Sequence, residues 1–296
     1  MSSRASIVLT SGSARVVIEP QFGGRLSSFS VGDIELLLQP DGEMPGASHP
    51  FGWGSFVMAP YAGRIRRGEL VFGSTTHRLP INMEPHAIHG TVFDAPWTVD
   101  AVSADGPADG PADGRADSAR CVLSCDLGTA WPFRGTVHQE IELVAGNSDG
   151  TGSLSQRVRV EAREDMPVTF GWHPWFPRVL PGASGPLAWS FDRTGVEMFH
   201  RDSDGIATSV MEPVPPGPWD DCFAGVGTVT VSWPGLISVC VAHDCPVVVL
   251  FDGLDHAVCV EPQTGPPDGN TVWGDGVTVR AGESLSASTT WTWNLA

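Results

Sequence analysis

The chain has 296 residues, with 17 Lys and Arg against 34 Asp and Glu, a formal charge of -17 and 41% hydrophobic residues. That composition belongs to a folded protein with an acidic surface and excludes a largely disordered chain. It also argues against nucleic acid as a partner, because the few basic residues are scattered apart from Arg64, Arg66 and Arg67.

No apolar run approaches the roughly 18 to 20 residues that cross a bilayer, so no membrane partner is expected. Met1 to Thr10 lacks an apolar core followed by a small-residue cleavage site, and the chain is read as cytoplasmic. Its six cysteines, Cys121, Cys125, Cys222, Cys240, Cys245 and Cys259, are too few for a disulfide frame and read as small buried hydrophobes. Their spacing forms no CxxC and no His completes a tetrahedral set, so no metal is expected, and with no P-loop and no GxGxxG following a strand no other cofactor is expected either.

Gly (35) and Pro (25) make up about a fifth of the chain, against about an eighth in an average protein, which disfavours long helices. Period-2 alternation recurs in short runs instead: Ala14 to Ile18, Ile34 to Leu38, Val137 to Leu143, Ser153 to Ala162, Val226 to Trp233, Ile237 to Ala242, Val277 to Arg280 and Leu285 to Trp293. Gly, Pro, Asp and Asn bound these runs, which predicts an all-β protein built as an antiparallel sandwich. Ala104 to Asp117 is a repeat of small and turn-forming residues with almost nothing to bury. It is expected to be a flexible loop between strands near Trp97 to Val102 and Cys121 to Leu127, within one domain spanning the whole chain.

Polar residues set into apolar or turn-rich text mark four candidate segments. Arg64 follows Gly63 after the apolar run Phe56 to Pro60, and can reach inward while Arg66 and Arg67 stay solvated. Asn82 precedes Pro85 to Gly90, which carries His86 and His89. His173 is flanked by Trp172, Trp175, Phe170 and Phe176, an apolar setting that makes its protonation depend on a nearby carboxylate. Indole faces such as that of Trp175 also suit the C–H faces of sugars. Glu261 ends an apolar run and is followed at once by Pro262, and a carboxylate at the buried end of a strand is costly unless paired or used. A weaker candidate is Asp220, beside Asp221, after the Pro-rich stretch Glu212 to Trp219.

In this order the segments resemble the aldose 1-epimerase family, the galactose mutarotases and their relatives. Val17 to Leu38, with Phe22 to Phe29 inside it, looks like the family's opening strands, and Ala281-Gly282-Glu283 followed by Leu285 to Trp293 looks like its closing strand. The resemblance implies a galactose mutarotase-like supersandwich holding a hexose in a cleft, with Glu261 as general base and His173 as general acid. It further implies that Arg64, His89 and Asp220 hydrogen-bond the sugar, with Asp221 the competing register, and Asn82 and Trp175 are expected to join them as sugar-binding residues. Two departures stand beside the expected site: the family's usual Asn before the Arg is Gly63, and its usual Tyr-Phe after the acid histidine is Trp175-Phe176.

The implied reaction takes a proton from the anomeric hydroxyl and gives one to the ring oxygen, so one base and one acid suffice. With ordinary pKa values near about 4.3 for Glu and about 6.5 for His, each is expected to stabilise the other's charged form in a shared cleft. The expected partner is a small-molecule sugar, bound to a monomer or homodimer. Competing readings are a mutarotase of phosphorylated or otherwise anionic sugars, for which Arg66, Arg67 and Arg78 are available, and a sugar-binding protein without catalysis. A glycoside hydrolase using Asp220 and Glu261 as paired carboxylates would leave His173 and His89 unexplained.

Overall fold

A computed structural model describes residues 5–40, 50–105, 117–145 and 151–296. Strands dominate it, and its α-helix is the single turn Gly269–Val272. An 11-stranded antiparallel sheet runs in spatial order Ile7–Ser11, Ala14–Glu19, Arg25–Val31, Ser55–Met58, Gly171–Pro177, Ala257–Gln263, Val247–Phe251, Asp220–Ala224, Glu197–Arg201 and Ala207–Pro213, with Ile34–Glu35 attached to Arg25–Val31. An eight-stranded sheet runs Thr98–Asp105, Ser118–Asp126, Gly135–Ala145, Gly152–Ala162, Ser284–Leu295, Ile237–His243, Val229–Trp233 and Ala188–Ser190.

The two sheets differ in how alternation is used. In the smaller sheet one face is buried and one is wet: along Gly135–Ala145, Val137, Ile141 and Leu143 are buried while His138, Glu140 and Glu142 are partly exposed. In the larger sheet the middle strands are buried on both faces. Trp172, Phe176, Val258, Val260, Val248 and Leu250 join the main core between the sheets. Their neighbours in sequence, pointing the other way, pack in separate small clusters such as Trp175 with Cys259 or Phe56 with Met58. Aromatic contacts stitch the layers: Phe176 lies 5.3 Å from Trp291 and Phe29 lies 5.4 Å from Trp293, ring centre to ring centre.

Most predicted runs are strands, with two revisions. Ile34 to Leu38 pairs only over Ile34–Glu35, because the Glu35 carboxylate accepts the N–H groups of Phe29 and Leu37 (3.0 Å each) and turns the backbone out of the ladder. Val277 to Arg280 shrinks to Thr278–Val279, paired with Met166–Pro167. Most of the repetitive stretch, 106–116, lies outside the described residues, but Thr98–Asp105 and Ser118–Asp126 on either side of it pair antiparallel. The six cysteines are all free, and five of them are buried. Among the described residues no helix is long and apolar enough to cross a membrane.

Arg25 anchors the far wall of the larger sheet's second face. It is 1% exposed and donates to the carbonyls of Trp53 and Phe93 (3.2 Å each) and of Pro50, with its guanidinium 4.1 Å from the Trp53 ring centre and 4.8 Å from that of Phe56. Burial pulls its pKa down to about 10, opposed by Asp94. Arg25→Leu would leave three carbonyls without their donor, and we expect a loss of about 3 kcal/mol or more in urea denaturation. A loss below about 1 kcal/mol would show that water replaces the guanidinium without cost.

Candidate active site

The second face of the larger sheet forms the floor of a cleft of about 210 Å³. Strand register decides which side chains meet there. Gly171 pairs with Gln263 and Trp175 with Cys259, which sets His173 across from Glu261, while Phe56 stands opposite His173 on one side and Val249 opposite Glu261 on the other. The next row along the same face reads Trp175, Cys259, Phe251, Asp220. Period 2 therefore brings the two residues singled out for acid and base work onto neighbouring strands, side by side.

His173 Nε2 lies 3.4 Å from Glu261 Oε1. The imidazole is clamped between Phe56 (4.8 Å, 20° between planes) and Trp175 (5.0 Å, 26°), and His89 meets it edge-on at 5.0 Å. Only 6% of His173 and 3% of Glu261 are exposed. Gln263 Nε2 donates to the second Glu261 oxygen at 3.2 Å. Gln263 sits two residues beyond Glu261 on the same face of one strand, so period-2 reasoning could have found it.

Burial outweighs pairing in setting the charges. Desolvation raises the Glu261 pKa well above the ordinary carboxylate value, with Asp220 adding to the rise and Arg64 and Gln263 opposing it. Desolvation also lowers His173 to about 3, helped by the Arg25 cation. The expectation that each partner stabilises the other's charged form is thus reversed, and the pair favours a neutral carboxyl beside a neutral imidazole. His89 is held well below 6.5 by burial, then by His173 and Arg64.

The cleft's upper wall comes from a loop pinned by close backbone approaches. Arg64 pairs with Ile88 in a two-residue ladder. His89 adopts a positive φ of 62° and donates its N–H to the Gly63 carbonyl, and Gly90 then passes so near Ala59 that a Cβ would lie 2.0 Å from its carbonyl oxygen. Gly90 is therefore needed for this turn, since any side chain there would collide with the Ala59 backbone. Gly63, where the family pattern has Asn, has φ 65° and faces Pro267, whose side chain would lie 2.7 Å from a Cβ. Asn82 does not line the cleft: its amide accepts from the Ile88 N–H (2.8 Å) and donates to the Ile88 carbonyl (3.0 Å), holding the turn that presents His89. Trp175 forms part of the wall and donates its indole N–H to the Phe51 carbonyl.

Asp220 and Asp221 both line the cleft, and alternation places Asp220 on the Glu261 face. Arg201, which no local sequence signal marked, reaches both. Arg66 pairs with Asp202 and Asp204, and Arg78 with Glu69, so neither is directed at the cleft. Among the described residues, ligand atoms of His173, Cys259 and Glu261 lie within 4.8 Å of one another and are the one group arranged as metal donors could be. Burial, with Glu261 and Asp220 nearby, holds the Cys259 thiol well above its ordinary pKa.

The raised Glu261 pKa has a consequence for stability. Between the unfolded carboxyl value and the higher folded one, the native state binds more protons, so Glu261's contribution falls as pH rises. Glu261→Gln removes that loss. We expect the variant to melt several degrees above the parent at pH 8, with the gap closing toward pH 5 in thermal melts; an equal gap at both pH values would contradict the shift.

The family model described as aldose 1-epimerase matches residues 5–183. No curated protein sequence matches the chain. Among solved structures, a galactose mutarotase-like protein from Clostridium acetobutylicum superposes with a TM-score of 0.79 at 19% identity, covering 98% of this chain and 95% of that one. Galactose 1-epimerase from Lactobacillus acidophilus superposes at 0.75 with 16% identity, covering 98% and 94%. At such identities the structural likeness shows the galactose mutarotase-like fold, and with the match over residues 5–183 it follows that this chain belongs to the aldose 1-epimerase family.

Proposed function

We propose that the protein is an aldose 1-epimerase that interconverts the α and β anomers of a neutral hexose such as glucose or galactose by acid–base catalysis. The observation that carries this reading is the His173–Glu261 contact of 3.4 Å at the buried floor of a cleft rimmed by Arg64, His89 and Asp220. Ring opening needs a base at the anomeric hydroxyl and an acid at the ring oxygen, and two groups this close can serve two oxygens on one carbon. Glu261 takes the O1 proton while His173 protonates the ring oxygen. The aldehyde forms, the C1–C2 bond turns, and reclosure on the other face returns both protons.

The reversed pKa values, which burial causes, are compatible with this chemistry if the pair holds one proton between them. The charged pair, carboxylate with imidazolium, starts ring opening; the neutral pair, carboxyl with imidazole, is what opening leaves behind and what reclosure consumes. Burial favours the neutral arrangement, while Arg64 pulls Glu261 toward its anion. Arg64 thus opposes part of the burial effect, and it is the charged arrangement, which burial disfavours, that ring opening draws on. Arg64, His89 and Asp220 would orient the sugar by hydrogen bonds, and Trp175 offers an indole at the wall.

A neutral ligand is favoured over an anionic one by the charge count in the cleft. Its two cations, Arg64 and Arg201, already face Asp220 and Asp221, and Arg66, Arg67 and Arg78, the cations available for a phosphate, face carboxylates outside it.

Polarimetry of freshly dissolved α-D-glucose and α-D-galactose tests the proposal. The protein is expected to speed the approach to anomeric equilibrium, and Glu261→Gln and His173→Asn are each expected to cost about 10²- to 10⁴-fold in kcat. A variant that keeps the parental rate at saturation removes its residue from the mechanism. Because His173 resists a second proton down to about 3, the acid limb of kcat/KM is expected well below the ordinary imidazole value of 6.5. An acid limb at 6.5 would mean that the imidazole titrates alone.

A further inference from the structure

Glu197–Arg201 ends at the cleft, and its last side chain grips two carboxylates at once. Arg201 Nη1 lies 2.9 Å from Asp220 Oδ2, and Arg201 Nε lies 2.9 Å from Asp221 Oδ1. Successive strand residues point to opposite sides, so two adjacent Asp side chains would ordinarily diverge. Here they sit at the very start of Asp220–Ala224, where the Asp220 N–H also donates to Asp221 Oδ2 at 3.2 Å. Arg64 Nη2 approaches the same Asp220 oxygen, Oδ2, at 3.9 Å. Both cations thus address Oδ2, and among the described residues no hydrogen bond engages Oδ1.

We propose that Arg201 is a positioning residue for the reaction proposed above: by holding Asp220 Oδ2 and Asp221 together it presents Asp220 Oδ1 as a fixed acceptor for a sugar hydroxyl. The role rests on the mutarotase reading for its kinetic meaning, but its effect on sugar binding stands apart from turnover.

Two features support the assignment. A planar guanidinium can address two carboxylates through separate nitrogens in fixed directions, which a lysine ammonium, a single point charge on a flexible stem, cannot. The turn following Arg201 is also tied down, since Asp204 and Asp202 both pair with Arg66, two residues along from Arg64. Arg201 therefore links the strand bearing Asp220 to the loop bearing the opposite cation. Without Arg201, the adjacent carboxylates Asp220 and Asp221 would face Arg64 alone, 3.9 Å from Asp220, and their repulsion would no longer be offset by a shared cation.

The groups that face Glu261 are His173 on one neighbouring strand, Asp220, Cys222 and Cys259 around it, Gln263 on its own strand and Arg64 above. Arg201 faces Asp220 and Asp221 rather than Glu261, and Asp220 is the charge that raises the Glu261 pKa, so losing the cation that offsets Asp220 should move the pH–rate profile to higher pH.

The test uses the full chain with Arg201→Gln, Arg201→Lys and Asp221→Asn. Mutarotation of D-galactose and D-glucose is followed by polarimetry across pH, and binding of the same sugars by tryptophan fluorescence. Arg201→Gln is expected to raise KM and the dissociation constant about tenfold or more, the cost of a lost charged hydrogen bond, with a smaller fall in kcat and a profile shifted to higher pH. Arg201→Lys should recover part of the affinity and restore the profile, and Asp221→Asn should fall between Arg201→Gln and the parent in affinity without moving the profile to higher pH. An Arg201→Gln protein with parental KM, dissociation constant and pH profile would overturn the proposal, even if its Tm were lower. A parent that binds either sugar through Arg201 yet gives no rate enhancement would remove the mutarotase reading and keep the positioning role; a parent that binds neither sugar would overturn both.

Discussion

The pairing of Gly171–Pro177 with Ala257–Gln263 is the constraint on which the site depends. Because side chains alternate with a period of two, a slip of one residue would send His173 or Glu261 into the core between the sheets and bring Trp172 or Val260 into the cleft. The aromatic residues of those strands resist such a slip. Trp172 and Phe176 fill the main core on one face, while Trp175 and Phe56 sandwich the imidazole on the other. The hydrophobic effect that holds the two sheets together is thus also what aligns an acid with a base.

That alignment carries an energetic conflict. Middle strands covered on both faces would normally be wholly apolar, yet here they carry a carboxyl, an imidazole and an amide. Desolvation answers by neutralising the first two. The cleft's charged residues stand farther out, where Asp220, Asp221, Arg64 and Arg201 balance one another at the edge of solvent. A dry, neutral floor beneath a charged rim suits a polar, uncharged ligand, whose hydroxyls can reach both.

Much of the candidate site was legible from local text. Glu261 followed by Pro262, His173 among aromatics, and His89-Gly90 after Asn82 each carry a signal that does not depend on distant contacts. Asn82 was legible as part of the constellation, but its amide is spent on the Ile88 backbone, a distinction that needs coordinates. Arg201 gave no signal, because its meaning lies in the strand order that sets Glu197–Arg201 beside Asp220–Ala224. Gly63 shows the same limit in reverse: it reads as a departure from a pattern, and only the approach of Pro267, far along the chain, explains it.

Alternation and turn residues act over a few neighbours, and for that reason the amino-acid order alone was enough to specify an all-β chain, the faces of its strands and the residue types able to move protons. Which strands became neighbours, and so which face was sealed and which opened as a cleft, rests on contacts between segments far apart in the chain. The protonation preference of the central pair belongs to that second kind. A free carboxylate and imidazole would attract as ions, whereas the packing of two sheets and a covering loop removes the water that ionisation requires.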